Sequence, residues 1–516
     1  MSPWVIVIFP LCLAAILWIG WRSRRSWPSA NDYLNASRSV PLWAAALAFL
    51  AYNCGSIEVI GMSAMAAQYG VQAFHFYWIG GIPGIVFMGL IVLPIYMRTG
   101  ARSLPEYLGK RFGPSIRLLD AFVAVVGTIC FSGVALYTLA QVLHVILGWR
   151  FLSGELACAA LVLVYVLTGG VRASIFTSVF QLFVMIAGLT PLLFFTVHSD
   201  AGNWVHRSSR WHLWRPLPFF SPHAPLDGVG ILLGLGFVIS FSYWCTDFVM
   251  IQRALTAPTI EDARKVPLLA GFGKMAFAFL IVLPGVAGPA LLHKGVPFDQ
   301  TLPALMALEF GPALLALGAA ALLAGLMAWL AGNVSGFSAL CVEEIYRRIR
   351  PNRSERHYLR AGHLAVPACL LLALSTASLA FGFHDIMEFL QLIVALLYAP
   401  VFAVVLTGIV SRRASERGAF AGIFTGILAA LSLQALFSRG IATFGSQMSA
   451  DFYEAMLSFA AASCTCLLWR KDAEQTTPKG LVFDAGLRHN LRPSWPLVLL
   501  STALLGLCLA LNLIWR

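Results

Sequence analysis

Ionisable side chains inside long apolar runs are the residues of this sequence that are best suited to chemistry. Glu58, His75, Asp247, Lys274 and Glu388 each lie in or at the mouth of such a run. A charged group away from water is costly, so it usually marks a binding site or an ion pathway. Acids and bases in these positions could hold a polar or charged solute.

Two of the apolar runs are also interrupted by polar residues, which predicts helices that unwind near their middle. The first contains Asn53-Cys54-Gly55-Ser56, and the second contains polar Ser240, Ser242, Tyr243 and Thr246 before Asp247. Unwound backbone inside a membrane is tolerated only where it lines a cavity or is covered by protein. The two interruptions therefore favour a shared substrate cavity.

Each of these residues also has a simpler interpretation. Glu58 and Lys274 could neutralise one another as a structural pair, and Asp247 could cap a helix at the cytoplasmic boundary. Glu388 is near an outer helix end, where it could be solvated or act as a gate. Asp120 and His144 are near the ends of one helix and can reach water.

The composition places all of these residues in a membrane protein. The chain has 516 residues, of which 59% are hydrophobic and only 11% are charged, and its mean hydropathy is +0.80. A soluble domain carries about 25% charged residues, so the apolar excess must face lipid. The net charge of +12 resides in short loops, which indicates orientation in a bilayer rather than binding to nucleic acid.

Reading for runs of about 20 apolar residues predicts roughly fourteen membrane-spanning helices. They are 5–21, 42–67, 74–97, 118–148, 153–168, 173–198, 227–251, 266–292, 303–341, 362–381, 386–410, 418–436, 451–469 and 495–514. With an outer N-terminus, 27 of the 35 Lys and Arg residues fall in cytoplasmic loops and 7 fall outside. This asymmetry supports the helix count, and because the count is even, both termini are predicted to be extracytoplasmic. The predicted location is the cell (inner) membrane.

The two interrupted helices each open a set of five, which predicts two inverted repeats, because an odd number of spans reverses the orientation of the second set. No part of the sequence resembles a soluble catalytic domain. The predicted divisions are a first helix and linker (1–40), a first repeat (41–198), an outer loop (199–226), a second repeat (227–410) and three peripheral helices (411–516).

Short motifs in this order and at these spacings resemble the sodium:solute symporter family, whose members share the LeuT-like fold of two inverted five-helix repeats. The resemblance covers about residues 33–420. It is carried by Asp32-Tyr33-Leu34, Ile60-Gly61-Met62-Ser63, Leu104-Pro105-Glu106-Tyr107-Leu108, Gly169-Gly170-Val171-Arg172, Tyr243-Trp244, Ile251-Gln252-Arg253, Leu283-Pro284-Gly285, Ile345-Tyr346-Arg347 and Gly418-Ala419.

By this resemblance, the helices two to eleven form the repeat core of an all-α polytopic protein, and a sodium ion would sit between helices two and nine. Its backbone ligands would come from Ala51, Cys54 and Gly325. The two hydroxyl residues that the family usually presents are replaced by Ala328 and Trp329, and the family's Asp on the inner ion path is replaced by Ser178. The sodium site is therefore expected to be weak.

Three coupling mechanisms remain open on this basis. Sodium could bind elsewhere with help from Asn333, Ser335 or Asp247; protons could replace it, carried by Glu58 or Asp247; or transport could be uncoupled. Sodium is the only metal expected, and no organic cofactor is expected.

The resemblance also implies a substrate site, although a divergent one. Asn53, Tyr243 and Lys274 match sugar-carrier positions, whereas the sugar-contacting Glu falls at Trp78 and an Asn is replaced by Ser240. The Gln of the tenth core helix becomes Met387. Glu58, Trp244 and Asp247 complete the predicted substrate-binding set, and Lys274 could hold a carboxylate.

The resulting prediction is a secondary active transporter that moves a small organic solute across the cytoplasmic membrane, and not an enzyme. The alternatives are a proton-coupled or uncoupled carrier, or a transporter-like sensor of a solute. The expected partners are the solute and the lipid bilayer, and the sequence leaves the oligomeric state open.

Overall fold

The computed structural model describes residues 3–22, 39–101, 103–198, 209–215, 217–469, 481–482 and 492–516. Asp32-Tyr33-Leu34 and the loop residue Trp204 lie outside the described residues, as does most of the predicted linker before helix two. The regular elements are helices, as the composition predicts.

The first half of the fold contains the predicted interruption of the first repeat, at Cys54 and Gly55. Its helices, in chain order, are α1 Pro3–Arg22, α2 Leu42–Asn53, α3 Ser56–Tyr69, α4 His75–Trp78, α5 Ile82–Phe87, α6 Leu93–Arg98, α7 Leu104–Arg111, α8 Pro114–Leu147 and α9 Phe151–His198. A π-helical turn, Met88–Val92, joins α5 to α6.

The second half begins with a π-helical segment, Gly230–Ile239, that runs directly into α10. Its helices are α10 Ser240–Thr246, α11 Phe248–Leu255, α12 Ile260–Leu291, α13 Thr301–Glu309, α14 Pro312–Ala339, α15 Glu355–Ala377, α16 Ile386–Ile393, α17 Ala399–Val410, α18 Glu416–Ser438, α19 Gln447–Leu468 and α20 Trp495–Ile514. Two further π-helical turns, Leu340–Tyr346 and Val394–Tyr398, extend α14 and join α16 to α17.

In the described part of the chain, nine helices are long and apolar enough to cross a membrane, and a tenth span is formed by a helix pair bent by 56°. Their outward faces carry exposed apolar side chains such as Phe122, Leu364, Leu371 and Leu428. Apolar residues on that scale are expected where lipid replaces water. The predicted number of fourteen spans stays a prediction.

Two predicted boundaries differ from the observed helices. The run 303–341 is divided between Glu309 and Pro312, where extended backbone at Phe310 ends α13 and Pro312 takes the favoured first position of α14. The runs 153–168 and 173–198 form one continuous element, α9, instead of two helices. Glycines at the predicted turn permit a break but do not require one.

Hydroxyl side chains fix several of the helix starts outside the apolar layer. Ser103 accepts a hydrogen bond from the backbone N–H of Glu106 at the start of α7, and Thr259 accepts one from Asp262 at the start of α12. Each satisfies a backbone donor that has no partner inside the helix. Serines play the same role at the starts of α15, α18 and α19.

Residues 209–215, part of the predicted outer loop, pack onto the protein. Arg210 donates hydrogen bonds to the carbonyl groups of Ala67 and Gln68, at 2.6 and 2.7 Å, near the end of α3. The Trp214 indole donates to Asn512 on α20 at 3.1 Å. These contacts tie residues 209–215 to the ends of α3 and α20.

Helices α3 and α12 cross closely because Gly285 lacks a side chain. A Cβ atom at this position would lie 2.5 Å from the carbonyl oxygen of Ser63 and 2.8 Å from the Cβ atom of Ala66. This contact brings the helix that carries Lys274 against the helix that carries Glu58.

We expect Gly285→Ala to lower the midpoint of thermal unfolding in detergent, because the backbones must separate at a cost of about 1–3 kcal/mol. The matched control is Gly506→Ala on α20, where an added Cβ meets no atom within 4 Å. That control should leave the midpoint unchanged or raise it. Equal effects of the two substitutions would contradict the packing argument.

Candidate functional site

A cavity of about 100 Å³ lies where the two interrupted helices meet. The α2–α3 break contributes Asn53, Ile57 and Glu58, and α12 contributes Lys274. The rest of the wall is mostly aromatic and aliphatic. It comprises Met62, Phe76, Tyr77, Gly80, Gly81, Phe131, Leu235, Ile239, Ser240, Tyr243, Trp244, Trp329, Met387, Leu390, Gln391 and Val394.

Lys274 is the centre of the polar part of the cavity. Its Nζ atom donates to the Asn53 Oδ1 atom at 2.5 Å and to the Glu58 carboxylate oxygens at 2.7 and 2.8 Å. The side chains of Lys274 and Glu58 are only 7% and 13% exposed. Water therefore screens the attraction between the two charges only weakly, and removing one partner leaves the other charge poorly solvated.

The local sequence explains how these three groups come together. Helix α2 ends at Asn53, and the amide of Cys54 closes its last turn by donating to Leu50. The carbonyl groups of the last turn beyond Leu50 then lack partners inside the helix. Gly81 leaves room for the lysine stem, since a Cβ atom there would lie 3.2 Å from Lys274 Cε.

Aromatic rings surround the lysine head. Its Nζ atom lies 4.8 Å from the ring centre of Tyr77 and 5.5 Å from that of Trp244. Ring faces attract cations, most strongly where water is excluded. This part of the cavity is therefore suited to a cationic group, whether it belongs to the protein or to a ligand.

Several buried polar atoms around the cavity lack hydrogen-bond partners among the described residues. They include the Ser240 hydroxyl and the Trp329 indole N–H. Buried polar groups are normally paired. Such groups in the wall of one cavity are suited to a ligand that supplies the missing partners.

Six of the eight predicted substrate-binding residues line this cavity. They are Asn53, Glu58, Ser240, Tyr243, Trp244 and Lys274. The cavity lining does not include Trp78, which stacks on Phe74 with ring centres 4.6 Å apart and lies 6.0 Å from the ring of Trp515. Its neighbour Tyr77 faces the cavity, because adjacent helical residues point in different directions.

Asp247 also lies away from the cavity lining and has a clear structural position. It is the residue between α10 and α11, and its side chain accepts a hydrogen bond from the backbone N–H of Met250 at 2.8 Å. It therefore caps α11 at the 56° bend.

We expect Asp247→Asn to keep the cap and leave the apparent substrate affinity unchanged, because an Asn side chain accepts the same hydrogen bond. Asp247→Ala should lower the free energy of unfolding by about 0.5–2 kcal/mol. Uptake measurements and thermal unfolding of both variants check this. A large rise in half-saturating substrate concentration for Asp247→Asn would instead indicate direct contact with the substrate.

At the predicted ion position the two expected helices do meet, but the side chain of Trp329 occupies the same region. A Cβ atom on Gly55 would lie 3.3 Å from the carbonyl oxygen of Gly325, so the helices bearing Ala51, Cys54 and Gly325 do meet at the break. Trp329 lies in the same place, with its Cβ atom 3.4 Å from that position. Its ring stacks on Tyr52 with centres 4.8 Å apart and an angle of 4°.

The other side chains of the predicted ion site have partners of their own or offer no oxygen. Asn333 accepts from the Tyr52 hydroxyl at 3.2 Å and donates to the carbonyl of Trp329 at 3.1 Å. Ser335 and Ser178 donate to carbonyl groups of their own helices, at 2.6 and 2.7 Å. Ala328 is fully buried and offers no side-chain oxygen.

Two other predicted candidates lie outside this centre. His75 hydrogen-bonds to the carbonyl of Leu213, and its ring lies 4.4 Å from that of Trp214. Glu388 accepts a hydrogen bond from the backbone N–H of His384 at 3.1 Å, and Asp385 caps α16. The contacts of His75 and those of Glu388 and Asp385 hold helix ends and loops outside the cavity lining.

Sequence reasoning missed several wall residues, notably Tyr77, Phe131 and Gln391. Gln391 follows Met387 by four residues on α16, so both share a helix face. The family's glutamine is replaced by Met387 here, and Gln391 lies one helical turn later on the same face. That spacing could have indicated that Gln391 lines the cavity. Phe131 carries no such signal, since it is one apolar residue among many on α8.

Broken spans that meet at a cavity with a buried charge define the class of this protein as a secondary transporter. Residues 33–426 match the sodium:solute symporter family, and the chain belongs to that family. Its fold class and its type of activity, predicted above, are thereby confirmed. Family members are transporters and not enzymes.

Characterised relatives and solved structures agree with this assignment. The chain is 27% identical to a sodium/glucose cotransporter of Vibrio parahaemolyticus over 75% of this chain and 77% of the relative. It is 26% identical to sodium/glucose cotransporter 4 of Danio rerio over 77% of this chain, and it covers 65% of that longer protein.

The fold is similar to that of two solved transporters. A Na⁺-coupled sialic acid symporter superposes with a TM-score of 0.77 at 19% identity, over 92% of this chain and all of that one. A nucleobase-cation-symport-1 family transporter gives 0.52 at 13% identity, over 90% and 99% of the two chains. At these identities the likeness concerns the fold alone.

Proposed function

We propose that this transporter carries a small polar solute that binds at Lys274, in the cavity between the two interrupted helices. One observation supports this most directly. The cavity brings together the α2–α3 break, the π-helical segment before α10 and a buried lysine, and two polar atoms in its wall lack hydrogen-bond partners among the described residues. A solute in this position would touch both repeats, so their relative movement could expose it to either side in turn.

We further propose that sodium moves together with the solute, so that an inward sodium gradient drives uptake; the relatives are named sodium/glucose cotransporters. The ion would sit near the α2–α3 break, where the carbonyl of Gly325 approaches Gly55. Backbone oxygens alone make a poor sodium site, since alkali and alkaline-earth cations prefer many oxygen ligands. We therefore expect a high half-saturating sodium concentration.

A sodium-independent carrier is the second candidate, and Trp329 is the observation that favours it. The indole occupies the region of the predicted ion site and stacks on Tyr52, whose other contacts include the Arg253 guanidinium 4.8 Å from the ring centre. This stack joins α2, α11 and α14 by packing, where the family would use an ion.

Uptake into proteoliposomes under imposed gradients distinguishes the two candidates. The purified protein is tested with a panel of radiolabelled solutes under an inward sodium gradient, and sodium is replaced by N-methylglucamine in the control. Faster uptake with sodium supports the first candidate. Equal uptake in the two buffers contradicts it and supports the second, and a pH gradient then separates proton-driven from uncoupled movement.

We also propose that the protein lies in the cell membrane with both termini on the outer side. The distribution of Lys and Arg supports this orientation, with 27 in predicted cytoplasmic loops and 7 outside. Single cysteines introduced at Ser2 and Arg516, in a background without exposed Cys464, would react with an impermeant maleimide in intact cells. Labelling only after lysis would contradict the proposed orientation.

A further inference from the structure

The charges of the cavity suggest which class of solute it takes, an inference that rests on the proposed function. Glu58 and Lys274 are the only residues of the described lining with a carboxylate or an ammonium group. They bond to each other at 2.7 Å and are both largely buried. The pair thus consists of an acid and a base, side by side, whose charges cancel.

A solute with a single charge cannot satisfy both members of this pair. An anion that binds Lys274 displaces Glu58 and leaves its carboxylate buried without a counter-charge, and a cation that binds Glu58 does the same to Lys274. A neutral solute replaces a charge–charge contact with weaker hydrogen bonds. A zwitterion, by contrast, offers one opposite charge to each member.

The other wall groups fit the two ends of such a solute. The faces of Tyr77 and Trp244, which surround the Lys274 ammonium, are suited to receive a second cationic nitrogen near Glu58. The Trp329 indole N–H is a donor only, and the Ser240 hydroxyl can also donate, so both are suited to a carboxylate.

The dimensions also restrict the solute. A cavity of about 100 Å³ is well below the range of roughly 300–1,000 Å³ that holds drug-sized ligands. Its wall is mainly apolar, which is unfavourable for a solute with hydroxyl groups on every side.

We propose that the substrate is a small zwitterion of the amino-acid or betaine class, whose carboxylate binds Lys274 and whose cationic nitrogen binds Glu58. The Glu58–Lys274 bond closes the site when no solute is bound and opens to insert it. The same pair thereby excludes solutes that carry only one charge.

A matched set of small molecules tests this proposal in the purified full-length protein. L-Proline is compared with pyrrolidine, which keeps only the cation, with tetrahydrofuran-2-carboxylate, which keeps only the anion, and with D-glucose. L-Alanine and glycine betaine extend the zwitterion group. We expect at least one zwitterion to enter proteoliposomes with a half-saturating concentration at least tenfold below those of the two single-charge analogues and glucose.

A double variant shows whether the pair is responsible. Glu58→Gln with Lys274→Met removes both charges, and it should abolish uptake of the zwitterions. The matched control is Glu106→Gln with Lys110→Met, which removes an ion pair of 3.2 Å outside the cavity and should leave the preference intact. Thermal unfolding of each variant establishes that it is folded.

The remaining outcomes overturn the inference in distinguishable ways. If glucose or tetrahydrofuran-2-carboxylate is preferred and its uptake needs Lys274, the zwitterion class is wrong while the proposed site stands. If no zwitterion of the set is transported, the class is also wrong. If uptake of any solute persists unchanged in the Glu58→Gln/Lys274→Met variant, the proposed function of this cavity fails as well.

Discussion

Replacing Lys274 with Met should abolish solute uptake and destabilise the protein. The substitution removes the ammonium group that binds Glu58 and Asn53, and leaves a carboxylate that is only 13% exposed without a counter-charge. Breaking a buried pair by removing one partner costs about 3–5 kcal/mol. We expect a lower midpoint of thermal unfolding and an uptake rate reduced at least 100-fold.

The Glu58→Gln/Lys274→Met double variant separates the two effects. No charge remains buried in it, so most of the lost stability should return, whereas uptake should remain absent. Lys110→Met is the control for removal of a lysine from an ion pair, and there the loss should stay below about 1 kcal/mol because the pair is more exposed. Normal uptake by the double variant would show that the pair serves stability alone.

The second large effect concerns Trp329. Ala328→Ser with Trp329→Thr adds two hydroxyl oxygens beside the Gly325 carbonyl and removes the indole that stacks on Tyr52. Sodium is a hard cation that prefers oxygen ligands. We expect the half-saturating sodium concentration for uptake to fall at least tenfold, which corresponds to about 1.4 kcal/mol of binding free energy.

The control variant has a side chain of the same shape as threonine but without its hydroxyl oxygen. Trp329→Val has nearly the size of Trp329→Thr, so it opens the same space without adding a ligand. Both lose the packing of a buried aromatic ring, so thermal unfolding has to be measured for each. If Trp329→Val increases sodium affinity as much as the hydroxyl variant does, the effect comes from the space and not from the oxygens.

A large part of the architecture follows from the sequence. Long apolar runs predict membrane-spanning helices because backbone polar groups in lipid must be satisfied inside the helix. The polar interruption at Asn53-Cys54-Gly55-Ser56 coincides with the α2–α3 break. The polar segment Ser240–Thr246 is itself helical, and the 56° bend falls at its end, at Asp247. At the first break local chemistry suffices, because Gly55 permits the change of backbone direction and polar residues flank it.

The sequence also predicts that Glu58 and Lys274 could pair, although they are separated by 216 positions. Charges in an apolar layer have few other means of compensation, so the number of candidate partners is small. The division into two inverted repeats stays a prediction, as do the roles of the individual site residues. Their arrangement in space is what the structure adds.

What the sequence by itself determined is the class: a polytopic membrane protein with two interrupted helices, buried charges and a divergent ion position. Only the tertiary structure decided which side chains face the cavity. Tyr77 faces it while Trp78 packs against Phe74, and Asp247 caps α11 instead of lining the wall. The physical reason is that polarity and hydropathy are properties of single residues, whereas the direction of a side chain depends on helix rotation, which is set by packing against distant segments.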